Sequence, residues 1–383
     1  MPAPSIYLDH NATTPLDPRV LEAMRPYFLS AGNAESRHSA GRRARRAWDE
    51  AREATAGVLG AFADEVVFTS GGTEANNLAV LGLARGDDGP GRIVSSPIEH
   101  PAVAEPIAFL ESRGFAVDRP DVDAEGLADA DLMASYFDDR TRLAALMLAN
   151  NETGALQPVA RLAELAATRG VPVHTDAVQA VGRIPVDFHA LGVATLAASA
   201  HKFHGPVGVG LLLIRRGVKL APRLFGGGQQ QGRRPGTAPV PLVVGLATAL
   251  ELWRAESETR IATWARLSHR LEAGLIAALG PDRVVPNGPL DRARRLPQTV
   301  NLGFVGIEGE ALMIQLDLAG VAVSLGSACA SGSTQPSPTL VAMRVPPDRL
   351  RSSVRFSLGA STTESDVDEA VLRTVAAVER LIG

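Results

Sequence analysis

Thiol chemistry in this chain rests on one residue, because Cys329 is the only cysteine among 383 residues. An intrachain disulfide is therefore excluded, and so is a metal site built from four thiolates of one chain. A solitary cysteine reads either as a small buried hydrophobe or as a chemical thiol, and its neighbours decide between the two. Long apolar runs are missing as well. The stretch Val-Gly-Val-Gly-Leu-Leu-Leu-Ile at 207–214 is among the longer ones and is too short to span a bilayer. The first nine residues lack the basic start and apolar middle of a signal peptide, so the expected location is cytoplasmic. Neither sign of charge dominates: the formal net charge is -4, which provides no electrostatic footprint for nucleic acid or for an anionic membrane. The Arg-rich stretch at 41–52 reads as the solvated face of a helix, since acids follow at helical spacing. Internal repeats and long low-complexity tracts are also lacking.

What remains is an ordinary globular mix, 45% hydrophobic and 21% charged, long enough for two or three domains around a large core. Short apolar runs alternate with helical patterns. Residues 66–69, 93–95, 143–148, 171–174 and 208–214 read as buried strands, and 159–169 has the i, i+3, i+4 spacing of a helix. That alternation predicts a mostly parallel sheet covered on both faces, whose ligands bind beyond the carboxyl ends of the strands. After about residue 245 the pattern changes. A helical run over 246–279 leads into turn chemistry, short strands at 298–304 and 355–358, and a final helix from Thr363 or Ser365. This predicts a second, smaller α+β unit.

Several short segments carry chemistry. Ser-Ala-His-Lys-Phe-His-Gly-Pro at 199–206 sets Lys202 between His201 and a following strand. A lone lysine is usually a surface group, but one held at fixed distance and partly desolvated can form a Schiff base, with Ser199 and His201 able to bond an anion beside it. Val-His-Thr-Asp-Ala-Val-Gln at 173–179 puts Asp176 at the end of a buried strand. It reads equally as the partner of a pyridinium nitrogen and as a helix cap. Thr-Ser-Gly-Gly-Thr-Glu-Ala-Asn-Asn at 69–77 has small residues at a strand-to-helix turn, which suits a phosphate; it lacks the Walker pattern of nucleoside triphosphate sites. His100 follows a strand and reads as structural or catalytic. Asn151 and Arg355 are candidates for carboxylate recognition. Cys329 lies in Gly-Ser-Ala-Cys-Ala-Ser-Gly-Ser-Thr-Gln-Pro at 326–336, a small-residue segment that suits a mobile loop around a thiol.

Taken in order, from Tyr-Leu-Asp-His-Asn-Ala-Thr-Thr-Pro at 7–15 to the stretch after Arg355, these segments resemble the NifS/IscS-like cysteine desulfurases. These are class V aminotransferases within the fold-type I pyridoxal-phosphate (PLP) enzymes. The resemblance implies an α/β fold: a large PLP-binding domain over 15–255 with a mostly parallel sheet covered by helices, and a smaller α+β domain from 1–14 and 256–383. The smaller domain would carry the catalytic cysteine loop at about 324–336. It implies that Lys202 holds pyridoxal 5'-phosphate as a Schiff base and moves protons, that Asp176 pairs the ring nitrogen, and that Gln179 bonds the phenolic oxygen. His100 would stack on the ring, and Gly72, Thr73, Ser199 and His201 would hold the phosphate. Thr237 would reach the partner's phosphate across a homodimer. Asn151 and Arg355 would bind the carboxylate of L-cysteine, and Cys329 would take its sulfur as a persulfide, leaving alanine. The sulfur would pass to an acceptor protein such as an iron–sulfur scaffold.

Four places depart from the family pattern. The usual Gly-Gly-Gly-(Gln/His)-Glu-Arg-Gly is Gly-Gly-Gly-Gln-Gln-Gln-Gly at 226–232, so Gln230 and Gln231 replace an acid and a base. Val207 stands for a lysine, Pro338 for a histidine, and Asn-Ala-Glu-Ser at 33–36 for Asn-Pro-Ser-Ser. Alternatives with the same cofactor residues are a selenocysteine lyase and a class V transaminase or epimerase. The Cys329 loop counts against the second pair. An inactive scaffold paralogue is the third option, given weight by Gln230 and Gln231 and opposed by intact Lys202, Asp176, His100, Arg355 and Cys329.

Overall fold

A computed structural model describes residues 5–84, 89–325 and 336–382. Cys329, with the rest of 326–335, lies outside the described residues.

Seven strands form the main sheet, in the spatial order Val66–Thr69, Gly210–Ile214, Thr195–Ser199, Val173–Asp176, Thr141–Ala145, Arg92–Ser95 and Ala116–Asp118. Only Gly210–Ile214 runs against the rest. The other six therefore end at one edge, where a doubly wound sheet binds its ligands. The central strands are buried along their whole length, as covered sheets require.

Two expectations shift in ways that matter for the site. The strand expected at 171–174 is observed at Val173–Asp176, because Pro172 has no N–H for the ladder. That brings Asp176 onto the last ladder position. Thr195–Ser199, the strand leading into Lys202, was not anticipated. Its Ala197 and Ala198 have weak strand preference, yet both are wholly buried between neighbours, where packing outweighs propensity.

A second, antiparallel sheet of three strands, Val284–Pro286, Thr299–Phe304 and Ser353–Ser357, packs its own apolar cluster. That cluster includes Val300, Leu302, Val354 and Phe356 from the sheet and Val367, Ala370 and Val378 from the final helix, Glu364–Ile382. The helix Val240–Leu279, 40 residues or ~60 Å long, joins the two cores. Its first turns place Val243, Leu246 and Leu250 in the main core, and its later turns place Trp264, Leu271 and Leu275 in the second. Ile6–Tyr7 pairs in parallel with Val321–Ala322, so the chain's beginning is tied to the second core. The following residues then run to the edge of the main sheet, where the carbonyl of His201 accepts from the Thr14 N–H at 2.9 Å.

The Arg-rich stretch forms part of the helix Ser39–Val58. Ala44, Ala47, Trp48 and Ala51 face the core while Arg45 pairs with Asp49 at 2.8 Å on the exposed side. Among the described residues no helix is long and apolar enough to cross a membrane.

Candidate active site

A cavity of about 380 Å³ opens at the carboxyl edge of the main sheet. Five strands converge on it. The helix Gly72–Leu83 starts after Val66–Thr69, His100 follows Arg92–Ser95, and Asn151 follows Thr141–Ala145. Asp176 ends its own strand, and His201 and Lys202 lie on the turn after Thr195–Ser199. Ten of the residues singled out from the sequence line this one space: Gly72, Thr73, His100, Asn151, Asp176, Gln179, Ser199, His201, Lys202 and Arg355. Thr237 does not; it is exposed, outside this chain's own cavity.

Lys202 is held by the N-terminal segment. Its Nζ donates to the carbonyl of Asn11 at 2.6 Å and to that of Ala12 at 2.8 Å. The amine thus hangs on a strap that the second core anchors. Asn11 also accepts from Gln179 Nε2 at 2.9 Å, donates to Thr299 at 2.9 Å and reaches the Asn151 carbonyl at 3.2 Å. It links four segments remote in sequence, and no local pattern marks it. Gln179 Oε1 is buried and has no partner among the described residues.

Asp176 is 6% exposed and receives a donor on each oxygen: Val178 N–H on Oδ1 at 2.9 Å and Asn76 Nδ2 on Oδ2 at 2.6 Å. One oxygen caps the following turn while the side chain also lines the cavity.

The start of the Gly72–Leu83 helix leaves backbone N–H groups without intrahelical partners, a ready anion site. Glycine is required at 72 by proximity, because a Cβ there would sit 2.7 Å from Val178 Cγ2. Burial, followed by the Lys202 charge, pushes the His201 imidazole down to about 4, so it is neutral at pH 7. His100 Nδ1 accepts from Ala102 N–H at 3.0 Å and caps the helix Pro101–Ser112, which leaves the proton of the neutral ring on Nε2.

Arg355 is 3% exposed. Its Nη2 pairs with Asp9 at 2.7 Å and its Nη1 donates to the Asn151 carbonyl at 2.9 Å. Its Nε is buried without a partner among the described residues. Ser324, just before the undescribed segment, pairs with the Arg355 backbone. Ser337, just after it, donates to the buried Glu152 at 2.5 Å. The two ends of the Cys329 segment therefore flank Arg355 and Asn151.

Glu99 was overlooked in the sequence. Its Oε1 accepts from Met147 N–H at 2.7 Å, its Oε2 is buried without a partner among the described residues, and burial pushes the carboxyl up to about 8. Its signal was present, as an acid directly before His100 after a buried strand. Among the described residues no group of three His, Cys, Asp or Glu side chains is placed to hold a metal ion.

The departures have local reasons. The Gln230 amide donates to the Phe68 carbonyl at 2.9 Å and accepts its N–H at 2.7 Å, completing the edge of the outermost strand. A carboxylate could accept there but not donate. Pro338 occupies the first turn of the helix Pro338–Ala342 behind the Ser337 cap, where its missing N–H costs nothing.

Comparison with known proteins agrees with this geometry. The family model for aminotransferase class V matches residues 6–370. A protein of Dictyoglomus turgidum named cysteine desulfurase IscS is 43% identical over 98% of this chain and 94% of its own. A protein of Gluconacetobacter diazotrophicus named cysteine desulfurase is 44% identical over 96% and 92%. Among solved structures, a NifS-like protein superposes with a TM-score of 0.91 at 35% identity, covering 98% of this chain and all of that one. With a match that spans nearly the whole chain, the protein belongs to the class V aminotransferase family.

Proposed function

We infer that this chain is a cysteine desulfurase, which converts L-cysteine and the thiol of Cys329 into L-alanine and a persulfide on Cys329. Atoms balance: the substrate sulfur leaves its Cβ for Cys329, and the thiol protons end on the alanine methyl group and the persulfide. The observation that carries this reading is the meeting of an amine, Lys202, a buried carboxylate, Asp176, and a helix start, Gly72–Leu83, around one cavity. The names of relatives above 40% identity support it.

The residues present fit pyridoxal phosphate. The unpartnered Gln179 Oε1 is spare polar capacity beside the cavity, and the glycine contact at 72 lets the helix start come close to a phosphate. When bound, that cofactor supplies an aldehyde for amines and a ring that takes up electrons. Lys202 would hold it and move the proton of the substrate Cα. Asp176 would keep the ring nitrogen protonated, Gln179 would bond the phenolic oxygen, and His100 would cover the ring. Gly72, Thr73, Ser199 and the neutral His201 would hold the phosphate as hydrogen-bond donors. Asn151 and Arg355 would orient the substrate carboxylate. Cys329 would act as the soft nucleophile on sulfur.

The reading extends to assembly. Thr237, exposed on its own subunit, would complete the phosphate site of a second copy, making the enzyme a homodimer. The persulfide would pass to a sulfur-acceptor protein such as an iron–sulfur scaffold. A reducing cytoplasm suits a thiol that must stay free between turnovers. We divide the chain into a cofactor domain at 15–255 and a smaller domain at 1–14 and 256–383, which bears the cysteine. Mass spectrometry after L-cysteine, without reductant, tests the proposal: one added sulfur atom on the Cys329 peptide is expected. Alanine release with no such adduct would overturn it.

A further inference from the structure

Behind Asp176 lies a chain of buried polar side chains that the reaction, as described so far, does not use. His174 stands two residues before Asp176 on the same strand, so both side chains project from one face of the sheet. Thr195 is the register partner of His174 on the neighbouring strand. Asn76, from the second turn of the Gly72–Leu83 helix, covers that face. The contacts run in sequence: Thr195 Oγ1 to His174 Nδ1 at 2.9 Å, His174 Nε2 to Asn76 Oδ1 at 2.9 Å, and Asn76 Nδ2 to Asp176 Oδ2 at 2.6 Å. Thr195 and His174 are wholly buried, and Asn76 is 1% exposed.

Every proton in this chain is assigned by the one before it. A carboxylate only accepts, so the Asn76 amide must turn its Nδ2 to Asp176 and its Oδ1 to His174. Oδ1 also only accepts, so His174 must carry its proton on Nε2. The Nδ1 lone pair must then accept the Thr195 hydroxyl proton. Turning any member over would set two acceptors against each other in a buried place. Burial pushes the His174 imidazole down to about 3, in keeping with a neutral ring. A charged imidazole would offer Asp176 a competing cation close to the cavity.

We propose that Asn76 and His174 are positioning residues: His174, donating from Nε2, anchors the Asn76 amide, and the amide holds Asp176 as an acceptor oriented toward a ring nitrogen in the cavity. This rests on the reading of the cavity as a pyridoxal-phosphate site. The chain acts on the charge state of a ligand that neither His174 nor Thr195 reaches. His174→Leu removes the donor and leaves the buried Asn76 Oδ1 without its His174 partner, so the amide is no longer anchored beside Asp176. His174→Gln keeps an amide N–H that can take the place of Nε2–H.

The test is nitrogen NMR at pH 7. In the wild-type protein without cofactor, the His174 ring, assigned by its loss in His174→Gln, must read protonated at Nε2 and unprotonated at Nδ1. The reverse tautomer or a charged ring overturns the proposal, and the tautomer itself is read on the wild-type protein. With pyridoxal phosphate labelled at the ring nitrogen, the bound signal must shift toward the unprotonated position in His174→Leu and return toward the wild-type position in His174→Gln. An unshifted signal in a folded His174→Leu protein, with the fold checked by circular dichroism, overturns it as well. Failure of the wild-type protein to bind the cofactor at all would defeat the underlying reading instead, and the two failures are distinct.

Discussion

Arg355 Nη2 and Asp9 Oδ1 stand 2.7 Å apart although 346 residues separate them in the chain. The pair links the last strand of the smaller sheet to the N-terminal strap, and it gives the proposed substrate-binding cation a built-in counter-ion. Replacing its two members has opposite consequences. Arg355→Ala removes a bidentate contact worth roughly 1.5–3 kcal/mol, so the KM for L-cysteine rises by about 10- to 150-fold. Asp9→Asn leaves a buried cation unpaired, which lowers stability by on the order of 3 kcal/mol. Thermal melts of Asp9→Asn show a larger upward shift on adding L-cysteine than wild type does, since the substrate carboxylate then replaces the lost charge. A KM within twofold of wild type for Arg355→Ala would reassign carboxylate binding to another residue.

Lys202→Ala abolishes the visible absorbance of cofactor attached to the protein. It also lowers turnover by roughly 10²–10⁴-fold at the proton-transfer step alone. The chain contains just two lysines, and Lys219 lies outside the cavity, so no second amine stands in. The variant also takes the Lys202 donor from the carbonyls of Asn11 and Ala12, and hydrogen exchange of residues 9–13 accelerates relative to wild type. Wild-type absorbance and turnover in the variant would refute the assignment.

Cys329→Ser keeps the cofactor spectrum and the response of that spectrum to L-cysteine, but releases neither alanine nor persulfide. A thiol of ordinary pKa near 8.5 is a few per cent ionised at neutral pH and soft enough to attack sulfur, whereas a hydroxyl is neither. Alanine assay and persulfide labelling of the two proteins side by side make the measurement. A transaminase or epimerase would tolerate the change, so wild-type alanine release from the serine variant would reject the desulfurase mechanism.

Glu99 supplies a pH signature. Its carboxyl is raised from 4.5 to about 8 by burial, so the folded protein keeps this proton over a range in which the unfolded chain has lost it. A group raised in this way favours the fold less as pH climbs. Its contribution falls by up to ~1.4 kcal/mol per pH unit between about 4.5 and 8 and is level outside that window. Glu99→Gln keeps the acceptor for the Met147 N–H and carries no titrating group. The melting temperature of the variant minus that of wild type increases from pH 5 to pH 8. A difference that stays constant over this range would show that Glu99 does not hold its proton.

Much of this protein is written locally. The apolar run at 66–69 followed by Ser-Gly-Gly-Thr announces a strand and a helix start, because burial and small residues at a turn are properties of neighbours in sequence. Asp176 and His100 could be named for the same reason, since each follows a buried run at the edge where such sheets bind ligands, and Lys202 was named from its Ser-Ala-His-Lys segment ahead of a strand. Ten residues named from the segments or from the family resemblance line one cavity. The strand Thr195–Ser199 was not legible, since alanines express no preference that competes with helix and only its two flanking strands make it a strand. Asn11, Asn76 and His174 were equally silent. Their roles rest on hydrogen bonds such as His174–Asn76, Asn76–Asp176 and Asn11–Thr299, which span 98, 100 and 288 positions, and an asparagine that bonds a distant carboxylate looks, in its own segment, like any asparagine in a turn or helix. The sequence by itself determined which groups the site would contain. Only the tertiary structure decided how their charges and protons are arranged, because a buried donor takes its partner from whatever the packed elements bring within 3 Å.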